Sequence, residues 1–210
     1  MSYIPKQYWL ERGKRYREEF QYNKKSELQE KMLIDYLKNI PSFSTILEVG
    51  CGFGRITKLL LSELQGIDEY VAVDLSPHQI ENAKKYTNPL RVNVDLKFII
   101  SDIQSLQLDK QYDLVLASEV LMHILPSEIV WVIRKLVKMS NKHVVNIDWY
   151  EKQTPKKVAP HNFIHQYEKI YKDLPSVVQV YRIPIVKKEK AFSLFKLDTK
   201  QSIFHALLKS

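Results

Sequence analysis

Three glycines at alternate positions, Gly50, Gly52 and Gly54, stand out in a chain of 210 residues that holds five glycines in all. Glycine at such spacing serves a main chain that must turn tightly or let a ligand lie against it. Carboxylates occur at telling distances from the run. Glu48 precedes it, Asp74 falls 20 residues after Gly54, and Asp102 closes a later apolar stretch. A carboxylate at the end of a strand can accept hydrogen bonds from the two adjacent hydroxyls of a ribose. Together these types and spacings are suited to holding a nucleoside. A dinucleotide fingerprint would need glycine at 55, where the chain has Arg55, and the Gly-Lys-Ser/Thr of a phosphate-cradling loop is absent.

The elements that would position these residues are legible around them. Ile46, Leu47 and Val49 form an apolar run before the glycines, and residues 55–61 have helical character, giving strand, glycine turn, helix. Further strands are predicted at about 69–74, 94–100, 112–118 and 143–149, alternating with helices, the last of them over 127–139. Ser76 and Pro77 mark a helix start, as N-cap and first helical residue. Residues 6–40 read as two helices, the first with Tyr8, Trp9, Arg12 and Tyr16 at helical spacing. Two β-rich runs, 176–186 and 191–198, joined at 187–190, read as a hairpin. Such alternation predicts a doubly wound α/β sheet.

The run Glu48-Val49-Gly50-Cys51-Gly52-Phe53-Gly54 resembles the first motif of the class I S-adenosylmethionine-dependent methyltransferases, an acid followed by G-x-G-x-G. The likeness continues in register through Asp74, Asp102 and the stretch 112–124, and covers about residues 44–150. It implies a seven-stranded, mostly parallel sheet ending in an antiparallel hairpin, with N-terminal helices capping the cofactor site. It divides the single domain 1–210 into a cap at 1–43, a cofactor core at 44–150, an acceptor-side loop and helix at 151–175, and the hairpin at 176–198. By resemblance, S-adenosylmethionine would meet Gly50, Gly52, Gly54, Glu48, Asp74, Leu75, Asp102, Ile103, Ser118 and Glu119, with Arg12 pairing its carboxylate. Glu48 serves equally as an acid that only holds the loop.

The acceptor side is less specified. The long connection 149–169 leaves the fifth strand at the sheet's carboxyl edge, where open α/β sheets bind ligands. His161 and His165 lie four apart on it and would share one face of a helix, as candidates for a general base. His123, after the fourth strand, reads as structural. The chain has Ala117-Ser118-Glu119-Val120 where amino-directed nucleic-acid methyltransferases carry Asn/Asp-Pro-Pro-aromatic, and Cys51 lies in the glycine loop rather than at an attack position. No convergent metal-ligand set is evident, although Glu119 and Asp148 are acids after strands four and five. The expected reaction is O-methylation of a small or glycan-like acceptor.

Composition bounds the alternatives. Net charge is +8, and residues 151–210 carry twelve Lys/Arg against five Asp/Glu. That excess is either a solvated surface or an attraction for an anionic acceptor or RNA, so an RNA methyltransferase remains open. A non-catalytic relative that binds the cofactor or a partner is a further alternative. No apolar run of 18 residues occurs, and one cysteine excludes an internal disulfide, so a cytoplasmic protein without membrane contact is expected.

Overall fold

Residues 3–90, 93–151, 159–187 and 197–209 are described by the computed structural model. Apolar runs form the central strands, whose two faces are both covered, while polar residues interrupt the outer ones, and seven strands are described in all. These are β1 (Thr45–Val49), β2 (Glu69–Asp74), β3 (Asp95–Ile100), β4 (Tyr112–Ser118) and β5 (Ser140–Trp149), all parallel, with β6 (Val177–Lys187) and β7 (Leu197–Leu208) antiparallel. Their order across the sheet is 3-2-1-4-5-7-6. The strand order reverses between β1 and β4, and the crevice beyond their carboxyl ends is where such sheets take ligands.

Alternate residues of each central strand enter different cores. Leu47, Val71 and Val115 pack with Ile133 of α6 (Ile129–Lys138) and Tyr171 of α7 (Tyr167–Lys172) on one face. Ile46, Tyr70 and Leu116 pack on the other with Leu33 of α3 (Lys24–Leu37), Leu60 of α4 (Arg55–Glu63) and Ile80 of α5 (Pro77–Thr87). Ser76 caps α5 as its sequence predicts, its Oγ accepting from Gln79 N at 3.4 Å.

The ends of the chain depart from expectation. The N-terminal region holds three helices, α1 (Pro5–Gly13), α2 (Tyr16–Glu19) and α3, rather than two. α1 stops where Gly13 meets α5: a Cβ on Gly13 would overlap Ser76, and Gly13 O accepts from Gln79 Nε2. Asn23 restarts the helix by accepting from Lys25 N and Ser26 N. The last strand runs to Leu208, ten residues beyond the expected end of the hairpin at 198, and lies between β5 and β6. Residues 188–196, which take in most of the hairpin's expected joint at 187–190 and of its second run at 191–198, lie outside the described residues, as do residues 152–158 of the long connection.

Candidate active site

A cavity of about 730 Å³ opens at the strand-order reversal, lined from the carboxyl ends of β1, β2, β3 and β4 and roofed by α1. The glycine loop is its floor. Gly50, Gly52 and Gly54 have φ of 75°, 54° and 85°, the left-handed region that side chains resist. Their surroundings differ. A Cβ on Gly50 would overlap Val120, and one on Gly54 would come within 3.1 Å of Ala83 Cα on α5. A Cβ on Gly52 would meet nothing nearer than Tyr16 Cε1 at 4.0 Å. Gly52 therefore faces the open cavity, whereas Gly50 and Gly54 serve close packing of the loop, and Gly54 does not line the cavity.

Asp74 fastens that floor. Its Oδ2 accepts from Gly52 N at 2.9 Å and its Oδ1 from Ser76 N at 2.8 Å, so each oxygen keeps a lone pair toward the cavity it lines. Burial pushes its carboxyl up, and the two backbone bonds hold it back. Glu48 lines the cavity and also holds the loop: it is buried and accepts from Thr57 Oγ1 of α4 and from Tyr70 Oη of β2. Burial pushes its pKa up to about 7. Asp102 behaves oppositely. Burial alone would raise it, but Lys6 Nζ at 2.6 Å and the Ser105 N and Oγ bonds outweigh that and bring it down to about 2. Leu75, Ile103, Ser118 and Glu119 all line the cavity.

Besides Gly54, two expected residues do not. Arg12 lies 3.4 Å from Glu19 on the neighbouring helix and outside the cavity wall, because α1 turns that face outward. Arg55 occupies the wall instead, bonded to Glu30 at 2.7 Å, Gln29 at 3.0 Å and Glu119 at 3.3 Å. In the sequence Arg55 registered only as a residue breaking a dinucleotide fingerprint. His165 is buried, and its Nε2 lies 3.1 Å from Ile124 O. The segment 161–165 is not helical, so His161 and His165 do not share a face; α7 begins only at Tyr167. Of the two, His161 lines the cavity, its ring stacked on Tyr8 at 4.8 Å and 21°. His123 also lines it, in a 3-10 turn at Leu121–His123, although the sequence reads it as structural.

Glu119 is the strained point of the wall. Its φ of 58° is costly for a residue with a Cβ, on the order of 1–2 kcal/mol. It is held by its amide on Ile147 O at 2.6 Å and by Gln201 of β7, whose Nε2 donates to its Oε1 at 2.6 Å. Strain of this kind collects at functional sites. Ser118 Oγ and Asn162 Oδ1, both buried against the cavity, have no hydrogen-bond partner among the described residues.

An open α/β sheet with a nucleoside-sized crevice at its reversal point is the class this geometry defines. Residues 46–148 match the model of the methyltransferase domain family. It is 34% identical over 99 residues to the malonyl-[acyl-carrier protein] O-methyltransferase of Anoxybacillus flavithermus, covering 46% of this chain and 36% of that one. It is 35% identical over 95 residues to the ubiquinone biosynthesis O-methyltransferase of Rickettsia akari, covering 45% and 36%. The matched stretch thus spans little more than a third of these relatives. Whole-chain likeness appears among solved structures. The magnesium protoporphyrin IX methyltransferase of Synechocystis PCC 6803 with bound S-adenosylmethionine superposes with a TM-score of 0.69 at 16% identity, over 99% of both chains. The N-methyltransferase NodS of Bradyrhizobium japonicum WM9 with S-adenosyl-L-homocysteine gives 0.72 at 17%, over 99% and 100%. At such identity these two establish the fold.

Proposed function

We propose that the protein transfers a methyl group from S-adenosylmethionine to an oxygen of a small-molecule acceptor. The observation that carries this is the pairing of Asp74 with Gly52: the carboxylate that would take the ribose also fixes the one loop glycine whose missing side chain opens the cavity. The residues present fit that cofactor. The unused lone pairs of Asp74 suit two ribose hydroxyls, Ile103 offers an apolar bed for the base, and Ser118 Oγ is an unpartnered polar atom in the wall. Arg55, rather than Arg12, is the cavity's candidate for the cofactor carboxylate. When bound, the cofactor supplies a methyl on a sulfonium sulfur, the leaving side of an in-line displacement. The chain's own contribution is alignment and exclusion of water by the α1 roof. Oxygen as the target is supported by the O-methyltransferases that share the core stretch.

Calorimetric titration with S-adenosyl-L-homocysteine, followed by a labelled-methyl assay on pooled acceptors, tests this. One binding site per chain and label entering an alkali-stable methyl ether or a labile ester is expected. A folded protein that binds no S-adenosyl-L-homocysteine would overturn it.

A further inference from the structure

The acceptor end of the cavity has its own chemistry. Tyr3, Trp9, His123 and His161 line it as one cluster of rings. Two of their polar edges are spent: Trp9 Nε1 donates to Tyr3 Oη, and Tyr3 Oη donates to His123 O, both at 3.1 Å. The rings of Trp9, His123 and His161 pack on one another, and a wall built of such rings favours a planar, π-rich partner. The charges point the same way. The lining cations are Lys6, paired with Asp102, and Arg55, paired with Glu30 and Glu119. Against them stand Glu48, Asp74, Asp102, Glu119 and Glu128. An anionic acceptor would find no unpaired cation among the described residues of this wall, so the basic tail does not mark the acceptor.

His123 is the one imidazole here whose tautomer is fixed. Its Nδ1 lies 2.8 Å from His161 O, and a carbonyl can only accept, so Nδ1 carries the hydrogen. Nε2 is left as a lone pair, with the Asn162 side chain as its neighbour. Burial holds the ring's pKa down to about 4, keeping it neutral, while the His161 carbonyl and Asn162 favour the protonated form. The ring is thus neutral at rest and has acceptors for both hydrogens once charged. His161, by contrast, has no bond on either ring nitrogen among the described residues, and its ring is committed to stacking on Tyr8.

We infer that this end of the cavity takes a neutral aromatic hydroxyl, a phenol, and that His123 Nε2 is the base that removes its proton. The inference rests on the methyltransferase reading above. As the phenolic oxygen bonds to the methyl carbon, the carbon–sulfur bond breaks and its electron pair stays on sulfur. The hydroxyl proton passes to Nε2 and from the imidazolium to water, so charge and atoms balance.

The test begins with S-adenosyl-L-homocysteine binding to wild type, His123→Ala and His161→Ala, which separates cofactor failure from the present question. Labelled-methyl transfer is then measured to catechol and 2-naphthol, with hexanoate, methyl glucoside and aniline as carboxylate, sugar and amine controls. Transfer to the phenols alone is expected. His123→Ala should lose about 10²–10⁴-fold in turnover with nearly unchanged cofactor affinity, the range for removing a general base, and added imidazole should restore part of it. His161→Ala should lose less than about tenfold, as expected for lost packing rather than lost proton transfer. Cofactor binding without transfer to either phenol, or transfer to a control instead, overturns the acceptor class. A His123→Ala enzyme as fast as wild type on a phenol overturns the base. Absence of cofactor binding would instead sink the methyltransferase reading itself.

Discussion

The two walls of the cavity are built on different principles. The floor is main chain: Gly50 N and Cys51 N both donate to Val73 O, at 2.7 and 2.9 Å, and Asp74 holds Gly52 N, so β1 and β2 fix it without a flexible side chain. The roof is side chain: Tyr3, Trp9 and Tyr16 come from a segment docked through Lys6 on Asp102, Tyr3 on His123 and Gly13 on Gln79. A floor of backbone suits a ligand that never changes, and a roof of rings suits a partner that can vary with few substitutions. On the function proposed above, recognition of the cofactor is thus tied to the stability of the sheet, and recognition of the acceptor is not.

Breaking the floor should have the largest effect. Gly52→Val puts a branched side chain into the open cavity at φ 54°, and should weaken cofactor binding by about 100-fold or more, some 3 kcal/mol. Circular dichroism should still show a folded chain, because no packed atom lies within 4 Å other than Tyr16 Cε1 at that limit. Unchanged affinity by calorimetry would remove Gly52 from the site. Asp74→Ala should cost about 1–3 kcal/mol of cofactor affinity, the range for hydrogen bonds to a charged group, and Asp74→Asn less, since one oxygen remains.

Asp148 sharpens the comparison, because it joins β5 to the loop after β4, which lines the cavity between floor and roof. It is buried, accepting from Met122 N at 3.0 Å and from Asn146 Nδ2 at 2.7 Å, and burial pushes its pKa up to about 8. A carboxyl raised in the folded state contributes stability that is complete below its unfolded value, about 4, and is lost as pH rises through the folded one. The histidines act in the opposite direction. His123 and His205, held down to about 4 by burial, contribute stability above the unfolded value, about 6.5, that is lost as pH falls toward 4. The two effects offset each other below about pH 6.5. Above it the carboxyls alone remain, so melting temperature should decline from about pH 6.5 to 8. Asp148→Asn should remove most of that decline; an unaltered pH profile in the variant would contradict the assignment.

The smallest effect should come from the roof's latch. Lys6 is exposed and pairs with Asp102 at 2.6 Å, and removing an exposed ion pair costs about 0–1 kcal/mol. Lys6→Met should therefore change cofactor affinity by less than about fivefold in calorimetry, with the change shrinking at high salt. A loss larger than that for Asp74→Ala would reverse the ranking of floor over roof.

The same division governs what could be read from the chain. Strands 69–74 and 112–118 match their expected bounds because apolar residues fill both faces, a pattern no surface segment imitates. The glycines and Asp74 were legible because backbone requirements leave a mark on residue type. β7 was not, since Thr199, Gln201, Ser202 and His205 read as loop until their partners are known. His205, for instance, bonds Tyr36 Oη at 2.8 Å and His143 at 3.0 Å across the sheet. Placing His165 in the site assumed helical spacing for a segment that is not helical, and placing Arg12 there assumed a rotation of α1 that Gly13 forbids by seating against Ser76. His123 read as structural, and its place in the cavity wall could not be seen because it depends on a carbonyl 38 residues away.

A crystal structure of the protein with S-adenosyl-L-homocysteine tests the central claim most directly. The account predicts the ribose hydroxyls on the Asp74 carboxylate, the adenine beside Ile103, and the ligand's main chain contact at Gly52. A ligand seated elsewhere, or an Asp74 carboxylate that touches no ribose oxygen while the loop stays as it is, would contradict it.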